Sequence, residues 1–287
     1  MNWLKRIEDP KVWLEDPKFW LVGIAAALIA LHLNLIGRAE NIDLLSTSFL
    51  FWGAAATLVW DKREELKLES GVFSSFFGAS LLAFLVLKSV FISGYDPFLR
   101  LSPFISAFSL ALLASGVRGL KQYWQSLLIL GFIAFPPTLL LRIIDLNLLT
   151  AKFAGFILWY AGFQVNRQGI ILSLPNGSVE VLAGCSGVTS LFQVLGIAMI
   201  FLLMFPTNWI QKIACLIVAP LLSFMVNGVR VALMAVLVSF SNMEAFTYWH
   251  TGNGSLIFST IAVLLFGVFC RFAILRDEPE NQDPGKC

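Results

Sequence analysis

Eight long apolar runs dominate the chain, and they make a lipid bilayer the solvent in which it must fold. They fall at residues 19–36, 44–60, 72–92, 98–117, 124–141, 187–205, 210–240 and 255–273. A helix of about 20 apolar residues crosses the ~30 Å hydrocarbon core, so each run suffices for one crossing. Charged residues make up only 13% of the chain and mean hydropathy is +0.80, against about 25% charged in soluble domains. The net charge of +2 is too small to suggest nucleic acid as a partner. Cys185, Cys215, Cys270 and Cys287 show no metal-ligand spacing, and His32 and His250 are the only histidines. That supply excludes a His-rich metal centre and most haem arrangements, and it implies no cofactor. The expected fold is an all-α polytopic membrane protein of about eight transmembrane helices, forming a single domain over 1–287.

The stretch 142–186 departs from this pattern. Residues 146–163 are only moderately apolar, interrupted by Asn147, Lys152 and Gly155. Two β-branched runs then flank Pro175-Asn176-Gly177-Ser178, a β-hairpin signal. An open hairpin edge is not tolerated in hydrocarbon, so it lies outside the bilayer or against protein. Positive residues decide whether 146–163 spans. If it does not, Lys and Arg divide 13 to 5 between the two sides; if it does, they divide 10 to 8. The first topology is the better one: both termini cytoplasmic, with 142–186 an extracytoplasmic amphipathic segment and hairpin. Residues 1–18, with Trp3 and Trp13 and the echo Glu8-Asp9-Pro10-Lys11 and Glu15-Asp16-Pro17-Lys18, suggest a cytoplasmic interfacial segment. A cleaved signal is disfavoured, because the first run is long and no small-x-small site follows it. Residues 274–287 form a cytoplasmic tail.

Ionisable residues within spans mark function more often than structure. Arg230 sits in an apolar run and shares a helix face with Ser223 and Asn227, at spacings of four and three. Its structural alternative is snorkelling, but the end of the run is about ten residues or ~15 Å away, beyond an arginine's reach. Cys185, within Gly184-Cys185-Ser186-Gly187, immediately precedes a helix. There, unpaired backbone amides and the helix dipole favour a thiolate and offer oxyanion donors. Ser186, Thr189, Ser190 and Gln193 continue as a polar stripe. The structural alternative is a small packing residue. His250 follows Tyr248 and Trp249 in the loop before the last span, on the side expected for Cys185; alone it would read as an interface residue. His32 reads as a headgroup-level polar residue.

These elements occur in a telling order. Gly169, then Leu174-Pro175-Asn176-Gly177, then Gly184-Cys185-Ser186-Gly187, then Asn227-Gly228-Val229-Arg230, and finally His250 resembles the exosortase/archaeosortase family of multipass membrane cysteine transpeptidases. The match is good over 142–272 and holds only in hydropathy and span number before that. The wording Ala183-Gly184-Cys185-Ser186-Gly187-Val188-Thr189 is similar to the cyanobacterial branch. The resemblance implies exported substrates carrying a C-terminal tail with a short Pro-Glu-Pro type motif, a transmembrane segment and a basic cluster (PEP-CTERM). It implies cleavage near the motif through an acyl-thioester on Cys185 and transfer to an acceptor nucleophile. It assigns Arg230 as proton donor and His250 as transition-state stabiliser, with Ser186, Gly187 and Asn227 in support. Chemically, an arginine of pKa above ~12 suits oxyanion or thiolate stabilisation, and histidine is the easier acid/base. The rival reading is a transporter with Arg230 and Asn227 lining a solute path. Against it, no inverted repeat or matching pair of broken spans is found. A third reading is a structural or partner-binding membrane protein.

Overall fold

The computed structural model describes residues 16–251 and 253–275. The echo near the N-terminus, with Trp3 and Trp13, and most of the C-terminal tail, with Cys287, lie outside the described residues. The chain divides into two compact units, Met1–Pro136 and Pro137–Cys287.

The first unit packs α1 (Pro17–Arg38), α2 (Ile42–Asp61), α3 (Val72–Val90), α4 (Phe98–Gly119) and α5 (Trp124–Ala134), with a 3₁₀ turn, Leu120–Tyr123, before α5. Polar caps start two of them: Asp16 accepts from the Lys18 amide and Asn41 from the Leu44 amide, satisfying donors that the helix leaves orphaned. Gly116, at φ +62°, breaks the helical geometry near the end of α4, a conformation that glycine adopts without strain. The fifth run was expected to continue to residue 141. Its helix stops at Ala134, because Pro136 forces Phe135 into extended geometry (ψ 121°). His32 also differs from its expectation. It is buried, with Nδ1 2.9 Å from Ser102 Oγ of α4 and Nε2 3.2 Å from Ser48 Oγ of α2. It ties three helices, giving each polar group the partner that a lipid interior cannot supply.

The second unit opens with a 3₁₀ segment, Pro137–Arg142, followed by α6 (Leu146–Tyr160). Three strands come next: β1 (Asn166–Gln168), β2 (Ile171–Leu174) and β3 (Gly177–Glu180). It ends with α7 (Val188–Met204), α8 (Trp209–Ser239), α9 (Met243–His250) and α10 (Asn253–Ala273). Among the described residues, six helical stretches are long and apolar enough to cross a membrane. Two of the expected runs, 98–117 and 124–141, merge into one stretch, Phe98–Ala134, and α7, with 17 residues, is not among the six. The protein is a polytopic, mainly helical membrane protein. At 15 residues, α6 is about 22 Å long, short of the ~30 Å hydrocarbon core.

The strands form one antiparallel sheet in the order β1-β2-β3. The expected hairpin is β2–β3, closed across Pro175 and Asn176 with Leu174 opposite Gly177. The strand β1 was not anticipated: Asn166-Arg167-Gln168 is polar and fully exposed, so it carries no alternation to read. Leu172 and Leu174 face inward and join Val181 just after β3, Ala151, Ala154 and Leu158 of α6, and Val231, Ala232 and Ala235 of α8 in one core. Two glycines permit this packing. A Cβ on Gly177 would lie 2.7 Å from Val238 Cγ1, and one on Gly228 would lie 2.2 Å from the Phe153 ring. Phe153 in turn packs on Phe224 at 5.4 Å between ring centroids, so it has little room to yield. Gly228→Leu should therefore destabilise the fold by about 1–3 kcal/mol, seen as a lowered unfolding temperature in detergent. Gly23→Leu, which meets nothing within 4 Å, should leave that temperature unchanged.

Candidate active site

One face of α8 organises the site. Ser223, Asn227 and Arg230 lie along it, as their spacing predicts, and each reaches a different neighbour. Ser223 Oγ donates to Ser190 Oγ of α7 at 3.2 Å. Asn227 Nδ2 donates to the Cys185 carbonyl at 2.9 Å. Arg230 donates through Nη2 to the His250 carbonyl at 2.7 Å and through Nε to the Trp249 carbonyl at 3.4 Å. Arg230 is thus neither snorkelling nor facing lipid. Its guanidinium satisfies carbonyls at the C-terminal end of α9, where a helix leaves acceptors unpaired and favours a cation.

The cysteine sits in a tight turn just before α7. The amides of both Cys185 and Ser186 donate to the Leu182 carbonyl at 2.9 Å. Ser186 is buried, and its hydroxyl turns back to the Ala183 carbonyl at 2.8 Å and accepts from the Val188 amide at 3.4 Å. Gly187 caps α7 at φ +81°, and the space of its missing side chain is filled by Asn227, 2.5 Å from a built Cβ. The Gly187 conformation and the Asn227 contact therefore require one another. From the other side, Thr150 Oγ1 of α6 donates to the Ser186 carbonyl at 3.0 Å.

The connection carrying His250 was expected to be a loop. It is the short helix α9, capped by Asn242, whose side chain accepts from the Ala245 amide. Phe246, one turn before His250, stacks on the imidazole at 5.1 Å between centroids and 20° between planes. The ring is delivered to the cysteine with Nε2 3.1 Å from Cys185 Sγ.

Burial pushes the Cys185 thiol above its ordinary value, opposed by the positive charge of Arg230. Burial, followed by the Arg230 charge, pushes His250 below its ordinary value. Both shifts favour the uncharged forms, a thiol beside a neutral imidazole. Burial thus opposes the thiolate that the helix terminus favours. An imidazole with Nε2 unprotonated is placed to take the thiol proton as the sulfur reacts. Among the described residues, no group of three or more His, Cys, Asp and Glu side chains is arranged to hold a metal ion.

The structure brings Cys185, Ser186, Gly187, Asn227, Arg230 and His250 together. Thr150 and Phe246 were missed from sequence. Phe246 had a signal in its i, i+4 spacing to His250 on a helix. Thr150 had none, since its partner is a backbone carbonyl 36 residues away.

A family model described as transmembrane exosortase matches residues 40–267, a span that includes every residue of this cluster. No curated protein and no solved structure matches the chain. With well over half of its length covered by that one match, the chain belongs to the transmembrane exosortase family.

Proposed function

We propose that the protein is a membrane-embedded cysteine transpeptidase, with Cys185 as nucleophile and His250 as its acid/base partner. The observation that carries this reading is the 3.1 Å contact between Cys185 Sγ and His250 Nε2, within hydrogen-bond range for a sulfur donor. As Sγ attacks the scissile carbonyl carbon, its proton passes to Nε2, a C–S bond forms, and the carbonyl π pair moves to oxygen. The oxyanion collapses, the C–N bond breaks, and the leaving amine takes the proton from His250. An acceptor nucleophile then attacks the thioester and gives its proton to the same nitrogen. Collapse expels the thiolate, which recovers the proton. Arg230 contributes charge near the sulfur and holds the His250 carbonyl. Its pKa, above ~12, makes it a stabiliser rather than a proton donor.

The substrate class follows the family: exported proteins with a PEP-CTERM-like tail, whose membrane segment would bring the scissile bond to the bilayer surface. The acceptor is a nucleophile of the envelope. In this reading the enzyme is a multi-pass protein of the plasma (inner) membrane, with both termini cytoplasmic and the site on the extracytoplasmic face. The hydrogen bonds of Asn227 and Arg230 to backbone carbonyls favour the enzyme reading over a transporter with both residues lining a solute path. A reporter after Lys212 should read cytoplasmic and one within 175–178 extracytoplasmic; the reverse would overturn the orientation.

The size of a tail-bearing substrate tests the chemistry. Cys185→Ala and Cys185→Ser should both leave it unprocessed at normal enzyme abundance, and replacing Cys215, Cys270 and Cys287 together should leave processing intact. Normal shortening by Cys185→Ala would end the cysteine reading. Arg230→Lys should retain part of the activity, and Arg230→Met essentially none.

The pH response follows from the same pair. His250 works as a neutral base and titrates below its ordinary 6.5. Processing should therefore hold through neutral pH and fall only as the pH drops below 6.5 and the imidazole takes a proton. In Arg230→Met, loss of the positive neighbour raises both groups. The pH profile of iodoacetamide labelling at Cys185 should then shift to higher pH.

A further inference from the structure

The turn that presents Cys185 is gripped from two sides, and the grip from α6 bears on the peptide that follows the nucleophile. Thr150 is fully buried, and its hydroxyl donates to the Ser186 carbonyl at 3.0 Å. The Ser186 carbonyl and the Gly187 N–H belong to one planar trans peptide and point in opposite directions. Fixing the carbonyl therefore fixes the N–H. The first intrahelical bond of α7 runs from the Leu191 amide to the Gly187 carbonyl, so the helix provides no acceptor for the Gly187 amide itself. A rotation of this peptide would reverse its N–H, and Gly187, at φ +81°, is the residue type that tolerates such rotation most readily. Asn227 packs against Gly187 but donates to the preceding carbonyl, that of Cys185; the hydrogen bond to this peptide's own carbonyl is the one from Thr150.

We propose that Thr150 is a positioning residue which aims the Gly187 amide at the oxyanion formed when Cys185 attacks a carbonyl. Resting on the cysteine reading given above, this inference adds a residue outside the Cys, Asn, Arg and His positions and names the amide through which it acts. Thr150 touches neither substrate nor sulfur. Its effect appears only in reactions that pass through an oxyanion.

Two probes of Cys185 separate the possibilities, each followed on the Cys185 peptide by mass spectrometry in the full-length, detergent-solubilised protein. p-Nitrophenyl acetate acylates the thiol through a tetrahedral oxyanion, and iodoacetamide alkylates it by direct displacement with no oxyanion. Thr150→Val keeps the shape of the side chain and removes the donor. It should slow acylation by ~10–100-fold, somewhat less than outright loss of an oxyanion donor, while alkylation stays within about twofold of wild type on the same scale. Thr150→Ser, which restores a hydroxyl, should recover most of the acylation rate, and with tail-bearing substrate the Val variant should lose kcat with KM little changed. Equal slowing of both reactions would show that Thr150 merely holds the turn in place and would overturn the proposal. So would unchanged acylation in a Val variant that alkylates normally. Should Cys185→Ala shorten a tail-bearing substrate at the normal rate, the cysteine reading itself would fail, an outcome distinct from either of these.

Discussion

Everything in the second unit depends on the fact that the polar groups of α8 find their partners in protein. Asparagine and arginine within an apolar helix are costly in lipid unless each donor has an acceptor. Here the acceptors are backbone carbonyls of the two segments that carry the reactive side chains, Cys185 for Asn227 and Trp249 with His250 for Arg230. Satisfying α8 and assembling the site are therefore the same event. Each of these bonds is worth about 0.5–3 kcal/mol, the upper end for the charged donor. Loss of either leaves a buried group unpaired as well as a misplaced reactant.

That arrangement divides labour in a way the residue types alone do not show. An arginine beside a cysteine and a histidine invites a role in proton transfer. Its geometry gives it two others: it holds the end of α9 in place, and it supplies a fixed positive charge. The charge acts on both partners in a useful sense, favouring the thiolate and disfavouring the imidazolium. Burial works against the thiolate more strongly. Both shifts therefore favour the uncharged thiol and imidazole.

The sequence was legible wherever a single segment carries its own pattern. Apolar length marked the spans, the Pro175–Asn176 turn marked the hairpin, and the spacing of Ser223, Asn227 and Arg230 marked a shared face. What stayed hidden were pairings between segments and elements without periodicity. β1 is three polar residues paired with β2. α9 is a single short helix whose Asn242 cap was overlooked. His32 carried no clue to Ser48 and Ser102, since hydroxyls on distant helices leave no spacing to count. Thr150 was invisible for the same reason. Pro136 was visible, and its effect on the residue before it should have shortened the fifth helix.

The distance between Cys185 and His250 along the chain, 65 residues, sets an order of events during synthesis. Cys185 emerges first, before α8, whose Asn227 holds its carbonyl, and well before His250. At about 5–20 residues per second, translation separates the two by roughly 3–13 s. Throughout that interval the thiol has no base, no neighbouring guanidinium and no Asn227 to shape its turn. In the proposed mechanism the cysteine–histidine pair is incomplete until α8 and α9 are both in place, so a substrate tail is processed only once insertion is nearly complete.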